Sequence, residues 1–373
     1  MKNGKKSGGG LLGGLALIVL GIMLLFWNEG RTVAMQSAIN EGMKSYKDVT
    51  SEQIDSKNEG QLIATTGKLD LSNSGELKDQ KFGITVKGAK LRRNVEMYQW
   101  IEECTTDEND KETCNYKKDW SSNLEDSSEF KESGHTNPTS FKYESEDFLA
   151  PNVKVGAFDL PERLLNKLSY NQKLNNEKLT AMYTAPVEDF RLEGNYITNT
   201  KADTETEVGD LRISYEYASD GEVSLLGVQN GSTLTAFTGK KGKSLFEIRR
   251  GSHTGKEILT DMTKSNNKVK WLFRIIGTLV VIIGTGSLFA PLQSLTNRIP
   301  VVGSIVNTGT GLISTVLGLA ISLVVIAIAW FRYRPILSIV LLAIVIGLLV
   351  FLKLNKKDQP KKIENQEIKT NEN

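Results

Sequence analysis

The stretches WLFRIIGTLVVIIGTGSLFAP (Trp271–Pro291), GLISTVLGLAISLVVIAIAW (Gly311–Trp330) and PILSIVLLAIVIGLLVFL (Pro335–Leu352) decide the fold class. Each is close to the ~20 residues that a helix rising about 1.5 Å per residue needs to cross a hydrocarbon core about 30 Å thick. They are continuously apolar rather than alternating. A bilayer satisfies the backbone of helices and closed barrels only, so these runs read as transmembrane helices. A fourth run, Leu11–Trp27, follows the basic start Met1-Lys-Asn-Gly-Lys-Lys6 and has features of both a signal peptide and a first span. Its length favours an uncleaved anchor, as does the lack of a clear small-residue cleavage site beyond Trp27-Asn-Glu-Gly-Arg31.

The expectation is therefore an α+β membrane protein with four transmembrane helices, one N-terminal and three C-terminal, and a large β-rich extracytoplasmic domain between the first and second. The segments run as a basic cytosolic tail (1–10), a first span (11–28) and a juxtamembrane helix or linker (29–60). A β-rich domain (61–251) follows, readable as two halves around a helix at 160–180. Then come a helix leading into the second span (252–291), an interfacial segment plus third span (301–331), a fourth span (335–353) and a polar cytosolic tail (354–373). Val301–Trp330 is too long for one upright helix, which marks Val301–Thr310 as an interfacial or re-entrant piece.

Charge and tryptophan give the orientation. Lys2, Lys5 and Lys6 place the amino terminus in the cytosol, and Lys353, Lys356, Lys357, Lys361 and Lys362 place the carboxyl terminus there too. Arg332 and Arg334 oppose this arrangement. Trp27, Trp271 and Trp330 support it, since all three fall at the outer interface. Arg31 and Arg274 complete the set of interface anchors, with Arg274 able to snorkel to that interface or meet lipid phosphate. Small residues at Gly277, Gly284, Gly303, Gly309 and Gly311 would let helices approach closely. The near absence of ionisable groups inside the spans disfavours a pump, an ion-coupled transporter or a voltage sensor.

Between the first and second spans, short runs rich in β-branched and aromatic residues alternate with turn signals. They are Leu62–Thr66, Phe82–Val86, Glu96–Ile101, Lys117–Trp120, Phe190–Ile197, Asp210–Tyr217, Val223–Gln229, Leu234–Phe237 and Leu245–Arg249. Asp220-Gly221 and Asn230-Gly231 are hairpin turns by type. Pro161–Leu168 reads as an amphipathic helix, and Thr254-Gly-Lys-Glu257 has the capping-box spacing of a helix entering the second span. Cys104 and Cys114 bracket a polar tip, and in an oxidising compartment a disulfide would close it. Asp107, Glu108, Asp110 and Glu112 match no calcium-loop spacing and read as a solvated loop.

Lysine and arginine number 46 against 44 acids, with no basic stripe interleaved with aromatics, so nucleic acid is not an expected partner. Two histidines, His135 and His253, leave no basis for a metal centre built on several histidines, and no cofactor motif is present. His135 could act as a general base with Glu96, Asp210 or a serine. The absence of a nucleophile-elbow or zincin signature favours a structural histidine, and His253 reads as a cap or surface residue. Asp210 and Arg212 alternate on one strand face and would pair there.

Trp27-Asn-Glu-Gly-Arg31, Val95-Glu-Met-Tyr-Gln-Trp100, Gly134-His-Thr-Asn-Pro138, Val208-Gly-Asp-Leu-Arg212 and Trp330-Phe-Arg-Tyr-Arg-Pro335 together resemble the LUMA, or transmembrane protein 43, family. The resemblance covers nearly the whole chain and directs attention to Asn28, Glu29, Gly30, Gly134, His135, Asn137, Pro138, Gly209, Asp210, Arg212 and Pro335. It implies four spans, one large lumenal domain and two cytosolic termini. Animal members are associated with the endoplasmic reticulum and inner nuclear membrane, with emerin and lamin partners, and with organising membrane protein complexes; relatives occur in bacteria. The short lysine-rich termini and the Cys104/Cys114 tip depart from the animal pattern, so nuclear-envelope partners do not carry over to a bacterial chain.

The functional expectation is a non-enzymatic multi-pass scaffold organising protein complexes or lipids. Its partners would be membrane lipids and either further copies of itself or other membrane proteins. It would sit in the inner membrane of a bacterium, or in the endoplasmic reticulum or inner nuclear membrane of a eukaryote. The alternative is a membrane-surface enzyme acting on lipid head groups through His135 and neighbouring acids.

Overall fold

In the computed structural model, which describes residues 7–106, 112–183, 187–296, 300–336 and 338–339, five helices bracket and punctuate a region of short strands. They are α1 (Ser7–Ser45), α2 (Glu162–Leu165), α3 (Asn176–Met182), α4 (Gly255–Thr296) and α5 (Pro300–Tyr333). Among the described residues, three stretches are long and apolar enough to cross a membrane: Leu11–Ser45, Gly255–Phe289 and Gly311–Tyr333. The expected fourth span, 335–353, lies almost wholly outside the described residues. By packing, the chain divides into two units, Met1–Ser37 with Thr263–Asn373, and Ala38–Met262.

In the first unit α1 and α4 run antiparallel, as do α4 and α5, and glycine sets their separation. A Cβ on Gly14 would sit 2.8 Å from the carbonyl oxygen of Gly284, and one on Gly284 would sit 2.8 Å from that of Gly14. One on Gly277 would press on Leu25 at 2.8 Å, and one on Gly318 on Ile282 at 2.7 Å. Such small-residue contacts suit helices in lipid, where there is no hydrophobic drive between apolar surfaces and close packing has to supply the attraction. Leu25, Val281 and Val325 form the small core, and Thr285 Oγ1 donates to the carbonyl of Ser314 across α4 and α5 at 2.9 Å. Gly311 has open space around it, while the surroundings of Gly303 and Gly309 fall outside the described residues. The backbone of Val301–Thr310 belongs to α5, so it forms no separate re-entrant piece. The juxtamembrane segment is likewise the continuation of α1, which ends at Ser45.

The second unit holds two main sheets over one core. The first orders its strands Lys47–Thr50, Leu62–Asp70, Lys154–Val155, Phe158–Asp159, Thr233–Thr235, Glu222–Asn230 and Glu247–Arg250. Leu62–Asp70 also pairs directly with Glu222–Asn230, so the path closes on itself. The second orders Arg191–Glu193, Tyr196–Thr198, Leu211–Ala218, Lys90–Thr106 and Glu112–Ser121. Strand Lys90–Thr106 shows why the sheet has two faces: Leu91, Arg93, Val95, Met97 and Gln99 are buried, while Arg92, Asn94, Glu96, Tyr98 and Trp100 between them are only half-buried. Ile63, Val155 and Leu225 of the first sheet share a core with Val95, Met97 and Ile213 of the second. The amphipathic helix expected over Pro161–Leu168 is only the four residues of α2, yet Leu164, Leu165 and Leu168 are buried as its pattern requires.

One buried charge network lies inside this core. Arg93, with no exposed surface, donates to Asp79 Oδ2 at 2.6 Å, to Glu146 Oε2 at 2.7 Å and to the carbonyl of Glu144 at 3.0 Å. Tyr215 donates its hydroxyl to the same Asp79 oxygen at 2.7 Å. Burial and the Asp79 carboxylate push the Tyr215 phenol far above its usual range.

Candidate functional site

The motif stretches of the sequence come together in two places, one in each unit. In the membrane unit, Trp27–Arg31 of α1 and Trp330–Tyr333 of α5 meet at the beginning of α4's apolar run. Glu29, fully buried, receives Arg274 Nε and Nη2 on Oε1, both at 2.6 Å, and Trp330 Nε1 on Oε2 at 3.0 Å. The Arg274 guanidinium lies 4.9 Å over the Trp271 ring and 5.7 Å over Trp330. A buried ion pair is held only when geometry and extra hydrogen bonds offset desolvation, and here one carboxylate satisfies three N–H groups. Arg274 is therefore a structural partner of Glu29 rather than a free snorkelling cation.

Around that pair, Asn28 donates to the carbonyl of Lys270 at 3.0 Å, and Asn266 donates to that of Thr32 at 3.1 Å. Arg31 donates to Asn266 Oδ1 and Thr32 Oγ1, each at 3.2 Å. Gly30 is required by a close approach, since a Cβ there would sit 2.7 Å from the Tyr333 ring and 2.8 Å from its hydroxyl. Trp27 and Trp271 are exposed at this level, 52% and 58%, as aromatic residues of an interface belt are. Arg332 and Arg334 reach the Tyr333 and Trp330 rings at 6.0 and 5.9 Å. Asn266 and Lys270 were not evident as site residues from the sequence, because nothing local distinguishes them, whereas Tyr333 lies in the quoted Trp330–Pro335 motif.

In the β unit, Tyr98–Trp100, Gly134–Pro138 and Gly209–Arg212 converge on strand Lys90–Thr106. Asn137 is the hub: its side chain accepts from Trp100 N at 2.8 Å and donates to Trp100 O at 2.9 Å and Glu125 O at 3.2 Å. Gly209 adopts φ +101° and donates its N–H to Tyr98 O at 2.9 Å, while Tyr98 N donates to Asp210 O at 2.8 Å. Pro138 lies 3.3 Å from where a Gly209 Cβ would be. Gly134 also has positive φ, +101°, which permits the turn before His135.

His135 stacks on Tyr116 with centroids 3.9 Å apart and meets Trp100 edge-on at 4.5 Å. Its Nδ1 is buried without a partner, and no described residue forms a hydrogen bond to the ring. Tyr116 donates to Glu102, which also accepts Lys131 N at 2.6 Å, and those two hydrogen bonds hold the Glu102 carboxyl below its usual range. The acids considered for His135 are elsewhere. Glu96 takes Arg212 in a two-point pair at 2.7 and 3.1 Å, and Asp210 Oδ2 accepts from Glu207 N at 2.9 Å. Arg212 thus pairs across strands with Glu96 and not along its own strand with Asp210, because the directly opposite neighbour is nearer. The sulfurs of Cys104 and Cys114, cross-strand neighbours, are bonded at 2.00 Å. Of the tip carboxylates, Asp107, Glu108 and Asp110 lie outside the described residues, and Glu112 pairs with Lys131 at 3.3 Å. His253 precedes α4, donating its N–H to Ser224 Oγ at 2.7 Å, and Thr254 and Glu257 form the expected reciprocal cap.

The outward face of this sheet is aromatic and cationic. Arg212 lies between Trp120 and Tyr196, 4.6 and 4.8 Å from their centroids, Tyr98 packs on Trp120 at 5.3 Å, and Lys118 covers Trp100 at 4.8 Å. Trp120, Tyr116 and Lys118 were missed from the sequence. Their signal was the even-numbered alternation of a strand whose partner was not yet known.

The family profile described as transmembrane protein 43 matches residues 97–335 of the chain. The chain belongs to the transmembrane protein 43 family. It is 30% identical to human transmembrane protein 43 over 357 residues, 90% of this chain and 87% of that protein. It is 31% identical to the mouse protein over 88% of this chain and 86% of that one. It is also 28% identical to the Drosophila melanogaster homolog over 88% and 90%. No solved structure matches the chain. As a family member with three helices able to cross a bilayer, the chain is a membrane protein. The β-unit cluster from Tyr98 to Arg212 and the Trp330–Tyr333 part of the membrane cluster fall within the matched residues, the profile beginning inside strand Lys90–Thr106 and ending at Pro335, whereas Trp27–Arg31 precede it.

Proposed function

We propose that the protein is a multi-pass membrane scaffold that gathers proteins and lipids, with both termini in the cytosol and its β-rich unit on the other side of the membrane. The observation that carries this reading is the outward sheet face of Tyr98, Trp100, Trp120, Tyr196, Lys118 and Arg212. Tyrosine, tryptophan and arginine are the side chains that concentrate binding energy in protein interfaces. The tyrosine and tryptophan rings bury large rigid areas at small cost in side-chain entropy. Here they stand on a strand pair braced by a disulfide, so the face is pre-organised. The partners this suits are other membrane proteins or further copies of the chain.

The enzyme reading draws less support. His135 contacts rings, and the hydroxyl and carboxylate nearest it, Tyr116 and Glu102, are bonded to each other. Cross-linking in intact membranes tests the scaffold. Repeatable protein adducts or homo-oligomers are expected, reduced at least tenfold in a W100A/W120A variant, as loss of interface aromatics worth about 2 kcal/mol or more would produce. Recovery of isolated monomer alone overturns the reading, as does an adduct pattern indifferent to the variant.

A further inference from the structure

Across its described residues the membrane unit holds far more positive charge than its own acids neutralise. Residues 1–37 and 263–357 hold one carboxylate side chain, Glu29. Both of its oxygens are engaged, one by Arg274 and the other by Trp330. Four further cations stand where the three apolar runs end: Arg31 on α1, Lys270 on α4, Arg332 on α5 and Arg334 just beyond it. Among the described residues none of the four has a carboxylate partner. Arg31 reaches only neutral oxygens, at 3.2 to 3.4 Å, and its Nε is buried with no acceptor. Lys270 Nζ donates to Asn267 Oδ1 at 2.9 Å, and the other two arginines lie over aromatic rings.

We infer that this cationic collar binds the phosphate of an anionic lipid. Cations at the edge of a hydrocarbon core reach into the headgroup layer, and a phosphate is the acceptor that a bilayer supplies at that depth. Guanidinium groups take phosphate oxygens in paired hydrogen bonds, and the exposed Arg332 and half-buried Arg334, whose side chains donate to no described residue, have that capacity unused. The collar also accounts for the two arginines that oppose the charge rule for orientation: they neutralise a lipid instead of marking a cytosolic loop. The exposed Trp27 and Trp271 rings beside the collar lie where the glycerol and carbonyl region of a lipid would contact them. The inference deepens the lipid half of the scaffold reading and rests on it.

The test uses the full chain purified in neutral detergent, with thermal unfolding followed as short-chain phosphatidylglycerol, short-chain phosphatidylcholine or inorganic phosphate is added. Phosphatidylglycerol is expected to raise the midpoint with saturation, and the other two to leave it unmoved at the same concentration. R332Q/R334Q should weaken the apparent affinity about fivefold per cation removed, and R332K/R334K should keep most of it. R31Q should weaken it as well. Should R31Q fail to fold, the Arg332/Arg334 pair still decides, since those side chains make no hydrogen bond to a described residue. An equal response to phosphatidylcholine overturns the site, as does unchanged affinity in R332Q/R334Q. An equal response to inorganic phosphate overturns the lipid assignment. A failure here leaves the cross-linked adducts of the sheet face intact, and their loss leaves the phosphatidylglycerol response intact, so the two readings fail separately.

Discussion

The two units each bury one arginine against one carboxylate, and each adds an aromatic donor to the same acid: Trp330 to Glu29, and Tyr215 to Asp79. The likeness ends at the surroundings. Arg93 has a second carboxylate, the half-exposed Glu146, and a backbone carbonyl, so the β-unit network is satisfied by the chain's own acceptors. Around Glu29 and Arg274 the pair closes, but Arg31, Lys270, Arg332 and Arg334 lie beyond it with no carboxylate partner among the described residues. A closed network specifies a fold, whereas an open one requires something from outside. By this contrast the first is architecture and the second is the edge of a binding site.

The comparison can be broken most directly at Asp79. An Asp79→Ala change strands a fully buried guanidinium, which costs about 3–5 kcal/mol when one partner of a buried pair is removed. Chemical unfolding of the full chain should show this as a large loss in the β-unit transition. A loss below about 1 kcal/mol would mean that Glu146 alone compensates Arg93, and the network would then be a surface feature. Glu29→Gln comes next. It keeps an acceptor for Trp330 but removes the charge facing Arg274, and charge-assisted hydrogen bonds are worth about 1.5–3 kcal/mol. The thermal midpoint in detergent should fall, while affinity for phosphatidylglycerol is retained or rises, because the collar gains net positive charge. Loss of stability and lipid affinity together would sink the distinction between the Glu29–Arg274 pair and the collar.

The fold class was readable because its signals are local. Run length separates Leu11–Trp27 and Gly311–Trp330 from core helices, and turn residues punctuate strands such as Val223–Gln229, which the structure places within Glu222–Asn230. What the sequence could not show is register. Glu29 and Arg274 are 245 positions apart, and Arg212 meets Glu96 across 116 positions instead of Asp210 at two. Sequence spacing favours the near acid, while strand pairing brings the far one opposite. The same blindness hid Tyr116 and Trp120, whose importance comes from lying beside Glu102 and Tyr98 in the paired strand. The motif residues themselves were found, but their gathering into two clusters is a property of the packing alone.

If burial rather than pairing is what makes Asp79–Arg93 matter, then an equally well-formed exposed pair should be nearly silent, and Arg92 with Asp147 supplies it. Arg92 Nε and Nη2 meet Asp147 at 2.7 and 2.9 Å, and Tyr170 donates to the same carboxylate at 2.7 Å, but 38% of the Arg92 side chain and 34% of the Asp147 side chain are exposed. The hydrogen bond from Arg92 holds the Asp147 carboxyl below its usual range. A carboxyl depressed in the folded state contributes stability above its unfolded pKa of about 3.9 and loses it as pH falls through the folded value. The stability difference between wild type and Asp147→Asn should therefore be greatest above about pH 4, stay under about 1 kcal/mol there because solvent screens the pair, and vanish toward lower pH. Unfolding of both chains from pH 6 downward measures it. A difference as large as that of Asp79→Ala would show that the geometry of the pair sets the energy, and the contrast between a closed buried network and an open collar would lose its basis.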